Sequence, residues 1–267
     1  MRVSHTKVEC WRKCPRQYYY QYIERISRKF DYSPTDPRTL GKTLDVAVES
    51  GMEEAERYYW SQYHDVHDEG ILELMKMEYW LPQLNDLFRG GSFQIKIASQ
   101  HGKHDFIGFA DCIVGDTLYD MKYSNNADNY RESSQLHVYA SELPERPKRM
   151  AYVCVPRTFV RQKQPKVGRK GKKDEPGEDT MAFRRRAMGE LEKKEIQMVW
   201  VEYDQSKVDQ FWADVESMEQ ETEFAQKPHE NCKFCDYKDI CKPVIPKEPS
   251  EKVAVKPRSE IDKLLNS

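Results

Sequence analysis

The amino-acid sequence predicts an α/β fold in which helices flank a mixed central sheet. Helix-like segments fill the first third of its 267 residues, three strand-like runs follow within residues 93–123, and helices and strands then alternate to residue 225. A chain of this length can bury one substantial core and carry a small additional module. We therefore expect one main domain with additions at its ends.

The first predicted helix covers residues 6–26 and is rich in aromatic residues. Cysteine and tyrosine recur along it at steps of four residues, which is the spacing of one helical face. Pro15 interrupts this pattern, and Pro34 lies beyond its end. Two further helices are predicted at residues 40–63 and 71–87.

Three apolar-rich runs come next, and each is typical of a β-strand. The second and third runs flank Gly115-Asp116, a pair that favours a tight hairpin turn. The predicted elements of this part of the chain are strands at residues 93–98, 105–114, 117–123, 150–156 and 196–203 and helices at residues 128–143 and 206–225.

The predicted hairpin places two acidic side chains opposite each other. If Val114 pairs with Thr117, each step back along one strand matches a step forward along the other, so Asp111 lies opposite Asp120. Directly opposed residues have Cβ atoms roughly 5 Å apart on one face, where two carboxylates repel each other. A divalent cation between their oxygen atoms removes this repulsion, and Mg²⁺ or Mn²⁺ is the usual choice for such ligands.

Lys122 lies on the same face as Asp120, because side chains alternate along a strand. Its ammonium group can therefore reach a group that the cation holds. Two acids and a lysine around a divalent cation are typical of a site that cleaves phosphodiester bonds.

Three cysteines form a C-x2-C-x5-C cluster after the last predicted helix: Cys232, Cys235 and Cys241. The sequence shows no secretory or membrane segment, so its seven cysteines are expected to be cytoplasmic thiols or metal ligands. A thiolate site needs four ligands, and the candidates for the fourth are Cys14 and Cys10. Spacing does not separate Zn²⁺ from an iron–sulfur cluster, since both accept four thiolates.

The formal net charge of −2 gives no direct sign of a nucleic-acid partner, but the basic residues are unevenly placed. Residues 157–173 contain eight basic residues and no acidic one. Such a run attracts a phosphate backbone without sequence preference. The alternative is a solvated, disordered loop without a partner, because its glycines and prolines oppose regular structure. The two interpretations are compatible, since disordered basic loops also bind DNA.

Five motifs in this order resemble the PD-(D/E)xK nuclease superfamily. They are Ser4-His5-Thr6-Lys7-Val8 followed by Cys14-Pro15-Arg16-Gln17-Tyr18, the strand Gly108-x-x-Asp111, Asp120-x-Lys122, Gln135-x-x-x-Tyr139, and the three C-terminal cysteines. Within the superfamily, the sequence resembles the RecB-like exonucleases that carry an iron–sulfur cluster, a branch that includes CRISPR-associated exonucleases and phage relatives. The resemblance implies a restriction-endonuclease-like α/β core whose terminal segments are joined by a cysteine-ligated cluster.

The resemblance also implies a two-metal mechanism. Asp111 and Asp120 would hold Mg²⁺ or Mn²⁺ together with the main-chain carbonyl of Met121, and Lys122 would be the catalytic lysine. The superfamily usually has a histidine ligand in a helix shortly after a glycine, whereas this sequence has Asp45 there. A carboxylate suits Mg²⁺ or Mn²⁺, so Asp45 is a candidate ligand. The alternatives are an exposed helical acid at this position and a ligand one turn further on, at Glu49.

The remaining implied roles concern the cysteines and one helix. The resemblance favours Cys14 over Cys10, because Cys14 carries the proline and tyrosine of the pattern. Gln135 and Tyr139 lie four residues apart on one helical face and would direct that helix at the substrate backbone; the alternative is ordinary packing. The implied ligands of a [4Fe-4S] cluster are Cys14, Cys232, Cys235 and Cys241.

The predicted organisation is a single nuclease domain over residues 1–242. It comprises a catalytic core at residues 91–203, a cluster-binding module at residues 1–30 and 205–242, a flexible basic insertion at residues 157–190, and a mobile tail at residues 243–267. DNA with a free end is the expected substrate, and a helicase, a recombination assembly or a CRISPR assembly are candidate partners. The competing interpretation is a non-catalytic DNA-binding or scaffolding protein, which would have no need for two facing acids beside DNA phosphates.

Overall fold

The computed structural model describes residues 1–27, 33–63, 65–165 and 176–241. The predicted tail and the second half of the basic run, residues 166–173, lie outside these ranges. Within them, no helix has both the length and the apolar surface that a bilayer span requires. The chain divides into two compact units: the first unit consists of Met1–Glu9 and Phe30–Glu221, and the second unit of Cys10–Lys29 and Thr222–Ser267.

A six-stranded mixed sheet forms the centre of the first unit. Its strands are β1 (Arg2–Val3), β2 (Ser92–His101), β3 (His104–Val114), β4 (Thr117–Tyr123), β5 (Arg149–Val155) and β6 (Gln197–Val201). The order is β1-β3-β4-β5-β6, and β2 also pairs with β3. β1 pairs with β3 and β4 pairs with β5 in parallel, whereas the other pairs are antiparallel.

The described chain also contains eight α-helices. They are α1 (His5–Lys13), α2 (Pro15–Tyr18), α3 (Pro37–Ser50), α4 (Met52–Ser61), α5 (Asp68–Leu87), α6 (Gln135–Glu142), α7 (Thr180–Leu191) and α8 (Gln205–Gln220). Helix α8 belongs to the first unit, whereas the prediction placed it in the second segment, residues 205–242, of the cluster-binding module. The predicted domain boundaries stay a prediction.

Helices cover both faces of the sheet in the first unit. On one face, Val153 of β5 lies in the hydrophobic core with Leu44 of α3 and Trp80 of α5. On the other face, the hydroxyl of Tyr152 accepts a hydrogen bond from the backbone N–H of Leu136 in α6 at 3.3 Å. The alternation of β5 side chains therefore separates the two helical layers. The predicted α/β fold with a mixed central sheet is confirmed.

The predicted register of the β3–β4 hairpin is also confirmed. Val114 pairs with Thr117, and the connecting Gly115 has a φ of 58°. This left-handed conformation is accessible to glycine without steric strain. The turn therefore fixes which residues of the two strands face each other.

The predicted first helix is broken where the sequence has a proline. α1 ends at Lys13, Cys14 is extended with a φ of −161°, and α2 begins at Pro15. A proline ring disfavours the helical conformation in the preceding residue, which explains the break. One turn of π-helix, Tyr19–Ile23, follows α2. Cys14 therefore does not share one continuous helical face with Cys10.

Two further predictions need correction. The helix predicted at residues 40–63 is two helices, because Gly51 between α3 and α4 has a φ of 92°. The end of the insertion predicted to be flexible is helical, since it contains α7. Asp179 caps α7 by accepting a hydrogen bond from the backbone N–H of Ala182 at 2.9 Å. Glycines and prolines precede this cap, and because they oppose regular structure, the sequence analysis predicted no helix here.

In the second unit, the N-terminal and C-terminal segments pack together. The backbone N–H of Arg16 donates to the carbonyl of Ala225 at 3.2 Å. The ring of Phe224 lies 5.0 Å from that of Tyr19. The hydroxyl of Tyr237 donates to the backbone carbonyl of Ile26 at 3.1 Å. These contacts bring together segments from opposite ends of the sequence.

Candidate active site and cysteine-lined cavity

Two acids face each other at the end of the β3–β4 ladder. Regular pairing ends at Cys112 and Tyr119, and the next residues along the two strands are Asp111 and Asp120. The Oδ2 atom of Asp111 accepts a hydrogen bond from the backbone N–H of Met121 at 2.8 Å. A side-chain oxygen thus replaces a backbone carbonyl as the acceptor at this point.

The ladder on the other side of β3 is also interrupted at Asp111. Pairing of β2 with β3 includes Phe93 and Ile95 but omits Gln94, the residue opposite Asp111. Gln94 has a φ of 48°, and the left-handed conformation costs a non-glycine residue on the order of 1 kcal/mol. Asp111 therefore lies at a local distortion of the sheet. Strained backbone of this kind is common in functional sites.

Asp120 is almost completely buried, with 1% of its surface exposed. Its Oδ2 atom lies 2.6 Å from the Nζ of Lys122, and neither carboxylate oxygen has a hydrogen bond of regular geometry to a described residue. Burial raises the pKa of Asp120. Burial alone lowers the pKa of Lys122, but the attraction of Asp120 outweighs this and raises it overall. Lys122 is therefore an ammonium ion at neutral pH.

Asp45 of α3 is the third acid of the site. Partial burial raises its pKa to about 7, with a further contribution from repulsion by Asp120. Partial burial also raises the pKa of Asp111 to about 8, and repulsion by Asp120 and Asp45 adds to this shift. The three acids therefore lie close enough to oppose one another's ionisation, which is the condition that a bound cation relieves.

A small cavity lies between α3 and the β3–β4 hairpin. Its volume is about 10 Å³, and Asp45, Glu49, Asp111 and Met121 contribute to its lining. This is about the space that one water molecule or ion occupies. The oxygen atoms of Asp45, Asp111 and Asp120 do not all lie within 4.8 Å of one another, so a bound ion would draw them closer together.

The predicted helix residues Gln135 and Tyr139 belong to the same site. The Nζ of Lys122 donates to the Oε1 of Gln135 at 3.1 Å, and the Nε2 of Gln135 donates to the hydroxyl of Tyr139 at 3.5 Å. β3 passes close to this tyrosine, because a Cβ atom on Gly108 would lie 2.9 Å from its ring. The glycine of the Gly108-x-x-Asp111 motif therefore lets β3 and α6 approach each other.

The four predicted cluster ligands line one cavity in the second unit. The cavity has a volume of about 200 Å³, and its lining includes Cys14, Cys232, Cys235 and Cys241 but not Cys10. The sulfur atoms of these four residues are not tightly clustered, since no three of them lie within 4.8 Å of one another. The cavity is thus much larger than a single metal ion.

Polar groups point at two of these sulfur atoms. The Nε2 of Gln226 donates to the Sγ of Cys241 at 3.1 Å, and the backbone N–H of His229 donates to the Sγ of Cys232 at 3.3 Å. Burial raises the pKa of Cys241, and the nearby Cys14 raises it further. N–H donors directed at sulfur favour the thiolate form, which is the form that binds a metal.

The sequence matches the model of the PD-(D/E)XK nuclease superfamily over residues 2–242. The chain belongs to this superfamily. A crystal structure from Eubacterium rectale, described as a "putative exonuclease", has a similar fold, with a TM-score of 0.57 and 10% sequence identity over 97% of this chain and 91% of that chain. A search of the curated proteins finds no match.

Sequence analysis of this PD-(D/E)XK nuclease missed one other cluster of candidate ligands. His104 of β3 and Glu216 and Glu219 of α8 have ligand atoms within 4.8 Å of one another, which no other set of three such residues achieves in the described ranges. Lys103 lies 2.5 Å from Glu219, so a protein cation already pairs with one of the two carboxylates. The spacing of Glu216 and Glu219 places them on one helical face, but no sequence signal connects them to His104.

Proposed function

We propose that this protein is a divalent-metal-dependent DNA nuclease that removes nucleotides from a DNA end. The observation that carries the proposal is the group formed by Asp111, Asp120 and Lys122 at one end of a hairpin. The two acids oppose each other's ionisation and the lysine is held as an ammonium ion. A protein that only bound DNA would gain nothing from burying two acids beside phosphates.

The residues present suit Mg²⁺ or Mn²⁺, which PD-(D/E)XK nucleases generally use. The Oδ1 of Asp120 is buried and has no hydrogen-bond donor among the described residues, and Asp45 and Asp111 line a space of ionic size. We assign Asp45, Asp111, Asp120 and the carbonyl of Met121 as ligands. A bound ion of this kind polarises the scissile phosphate and lowers the pKa of a coordinated water molecule.

Lys122 would orient the attacking water molecule and offset the charge that develops on the phosphoryl oxygen atoms. Asp120 keeps the lysine protonated, and Gln135 holds its Nζ in place by accepting a hydrogen bond. Tyr139 in turn accepts a hydrogen bond from Gln135. This chain of contacts gives the two helix residues a role in positioning the lysine, in addition to their proposed role in substrate binding.

We further propose that the second unit holds a [4Fe-4S] cluster on Cys14, Cys232, Cys235 and Cys241. A tetrahedral zinc site has metal–sulfur bonds of about 2.3 Å, which requires sulfur atoms about 3.8 Å apart. The wider separation of the sulfur atoms and the volume of the cavity favour the larger cluster. Visible absorption that is lost on oxidation would support the cluster, whereas a colourless protein with one zinc ion would contradict it.

The nuclease proposal is tested by digesting end-labelled single-stranded and double-stranded DNA with Mg²⁺, with Mn²⁺ and with EDTA. We expect stepwise shortening from an end that requires the metal. Internal cleavage of circular DNA would retain the nuclease but contradict the exonuclease assignment. DNA that binds but stays intact with every metal would favour the non-catalytic DNA-binding alternative.

The biological setting is also a proposal. The basic residues of the chain and its superfamily suit a DNA substrate, and the cysteine thiols suit a reducing compartment such as the cytoplasm. A helicase, a recombination assembly and a CRISPR assembly stay candidate partners. Co-purification from cell extract with and without nuclease treatment would separate direct protein partners from proteins bound through DNA.

A further inference from the structure

One face of the β2–β3 hairpin stays in contact with solvent beside the candidate active site. Along β3, buried residues alternate with residues that are partly or fully exposed. The buried set packs against α6 and α8, as the ring contacts of Phe106 with Tyr139 and Phe211 show. The other set includes Phe109 and Asp111 and therefore lies on the opposite face. Asp111 lines the small cavity at α3, so this face continues directly from the proposed metal site.

Phe109 is the aromatic residue of this face, and 49% of its surface is exposed. Among the exposed large apolar residues of the described chain, only Phe109 belongs to a strand that carries a proposed metal ligand. It lies two residues from Asp111, which corresponds to about 7 Å along the strand. A nucleotide next to a phosphate held at the metal site can therefore reach this ring with its base.

Lys96 of β2 supplies a positive charge beside the ring. It is the direct partner of Phe109 in the β2–β3 ladder, so the two side chains leave the same face with Cβ atoms about 5 Å apart. Lys96 is exposed and forms no ion pair with any described residue. The next pair on this face, Ala98 and Ile107, carries no charge. The ammonium group of Lys96 is therefore available to an anion from outside the protein.

An exposed ring beside an unpaired cation is an arrangement that binds single-stranded nucleic acid, because the ring stacks on a base and the cation contacts the phosphate backbone. Bases in a duplex are already stacked on one another, so only an unpaired base can use the ring. The alternative occupant of an exposed apolar face is a second copy of the chain. The centre of a protein interface is depleted in charged residues, so the unpaired Lys96 favours DNA.

We infer that the exposed face of the β2–β3 hairpin binds the unpaired end of a DNA strand, with a base stacked on Phe109 and a phosphate on Lys96. The inference rests on the proposed nuclease function and adds the strand type and two residues that bind it. Neither residue is a proposed metal ligand. Their role is to hold the strand so that the adjoining phosphate lies at Asp111.

The stacking contact is tested with the full chain and single-stranded oligonucleotides that carry 2-aminopurine at the 5′ or the 3′ end, in EDTA so that no DNA is cleaved. The fluorescence of 2-aminopurine is quenched when the base stacks on an aromatic ring. Phe109→Ile removes the ring and keeps a residue type that favours strands, whereas Phe109→Tyr keeps the ring. We expect the wild type and Phe109→Tyr to quench one of the two labelled ends and Phe109→Ile to quench neither.

Fluorescence anisotropy measures the affinity of the same proteins for single strands and for a blunt duplex. Phe109→Ile should weaken single-strand binding about tenfold and duplex binding much less. Lys96→Ala should weaken single-strand binding and reduce the slope of log affinity against log salt by about 0.7. Lys103→Ala is the matched control, because it removes the same charge from the other end of the hairpin, where Lys103 pairs with Glu219. It should leave the slope unchanged.

Three results would overturn the inference. The first is quenching and single-strand affinity that persist in Phe109→Ile. The second is an equal loss of affinity in Phe109→Ile and Phe109→Tyr, because the ring would then have no role. The third is a dimer that Phe109→Ile converts to a monomer in sedimentation velocity with no loss of DNA affinity, which would assign this face to contact between two copies of the chain.

The two proposals fail separately. If the wild-type protein cleaves DNA with a metal and Phe109→Ile quenches and binds single strands as the wild type does, the inference is wrong and the nuclease proposal stands. If no metal supports cleavage but quenching and single-strand affinity depend on the ring of Phe109, the nuclease proposal is wrong and the binding face stands.

Discussion

The acidic site of the first unit and the cysteine-lined cavity of the second unit differ in how far apart their residues lie along the chain. Asp111 and Asp120 are nine residues apart, and one hairpin turn at Gly115 brings them together. Cys14 and Cys232 are 218 residues apart. Both sites gather groups that repel one another when charged, but only the acidic site lies on paired strands of a sheet.

Because of this difference, we expect different roles for the proposed divalent cation and the proposed iron–sulfur cluster. The β3–β4 register holds the acids in place without a bound ion, so loss of Mg²⁺ or Mn²⁺ should remove activity and spare the fold. The two terminal segments that form the cysteine cavity contact each other through a few hydrogen bonds and ring contacts. Loss of its cluster should therefore loosen the second unit. The following variants test this contrast.

Cys14→Ser should have the largest effect on stability. A cluster bound to Cys14 and Cys232 closes a long loop, and the associated loop-closure free energy is about 5 kcal/mol. We expect loss of bound iron and sulfide and rapid proteolysis of the terminal segments. Cys10→Ser is the matched control, because Cys10 does not line the cavity. Equal iron content in the two variants would contradict the assignment of Cys14.

Asp120→Asn should reduce the rate of metal-dependent DNA degradation by at least about a hundredfold, because it removes a ligand and the partner of Lys122. The circular dichroism spectrum should not change. Asp116→Asn is the control, since Asp116 is an exposed acid in the turn of the same hairpin. A variant that degraded DNA at the wild-type rate would disprove the proposed mechanism.

Gln135→Leu should lower kcat by about tenfold, because the Nζ of Lys122 loses its hydrogen-bond acceptor. Gln135→Glu retains an acceptor oxygen and should restore most of the rate. Single-turnover kinetics with saturating DNA isolate this step from binding. Equal rates for the two variants would show that the side chain acts through packing, with no positioning of the lysine.

Asp111→Asn should have the smallest effect on stability, and the effect should be an increase. The amide removes the repulsion between Asp111 and its acidic neighbours, while its oxygen still accepts the hydrogen bond from Met121. We expect about 1 kcal/mol of added stability in denaturant unfolding with EDTA, together with loss of nuclease activity. Reduced stability would indicate that the acids do not oppose each other.

Sequence analysis predicted the hairpin register and the proximity of Asp120 and Lys122 because this geometry is local, while the roles of these residues stay a prediction. The register follows from the hairpin turn between Val114 and Thr117, and alternation along β4 then places Lys122 near Asp120. The break at Pro15 was also visible in the sequence, although its effect on the helix was underestimated. The distortion at Gln94 was not predictable, because no residue type in that strand signals a positive φ.

Arg157 is buried, and this could not be predicted from the sequence. Arg157 begins a run of basic residues that is typical of a solvated loop. Its environment depends on Thr35 and Tyr123, which are distant in the sequence and are brought near only by the packed sheet. The preference for Cys14 likewise came from a resemblance, whereas the structure places Cys14 in the cavity through contacts between terminal segments.

The pairing of terminal segments in the second unit sets an order for biogenesis. During synthesis on the ribosome, the hydrogen bond between the backbones of Arg16 and Ala225 can form only after Ala225 has left the exit tunnel. The cysteine-lined cavity is complete only when Cys241 has left the exit tunnel. The strands β2–β6 are synthesised earlier, so insertion of the proposed cluster would have to follow synthesis of the chain through Cys241.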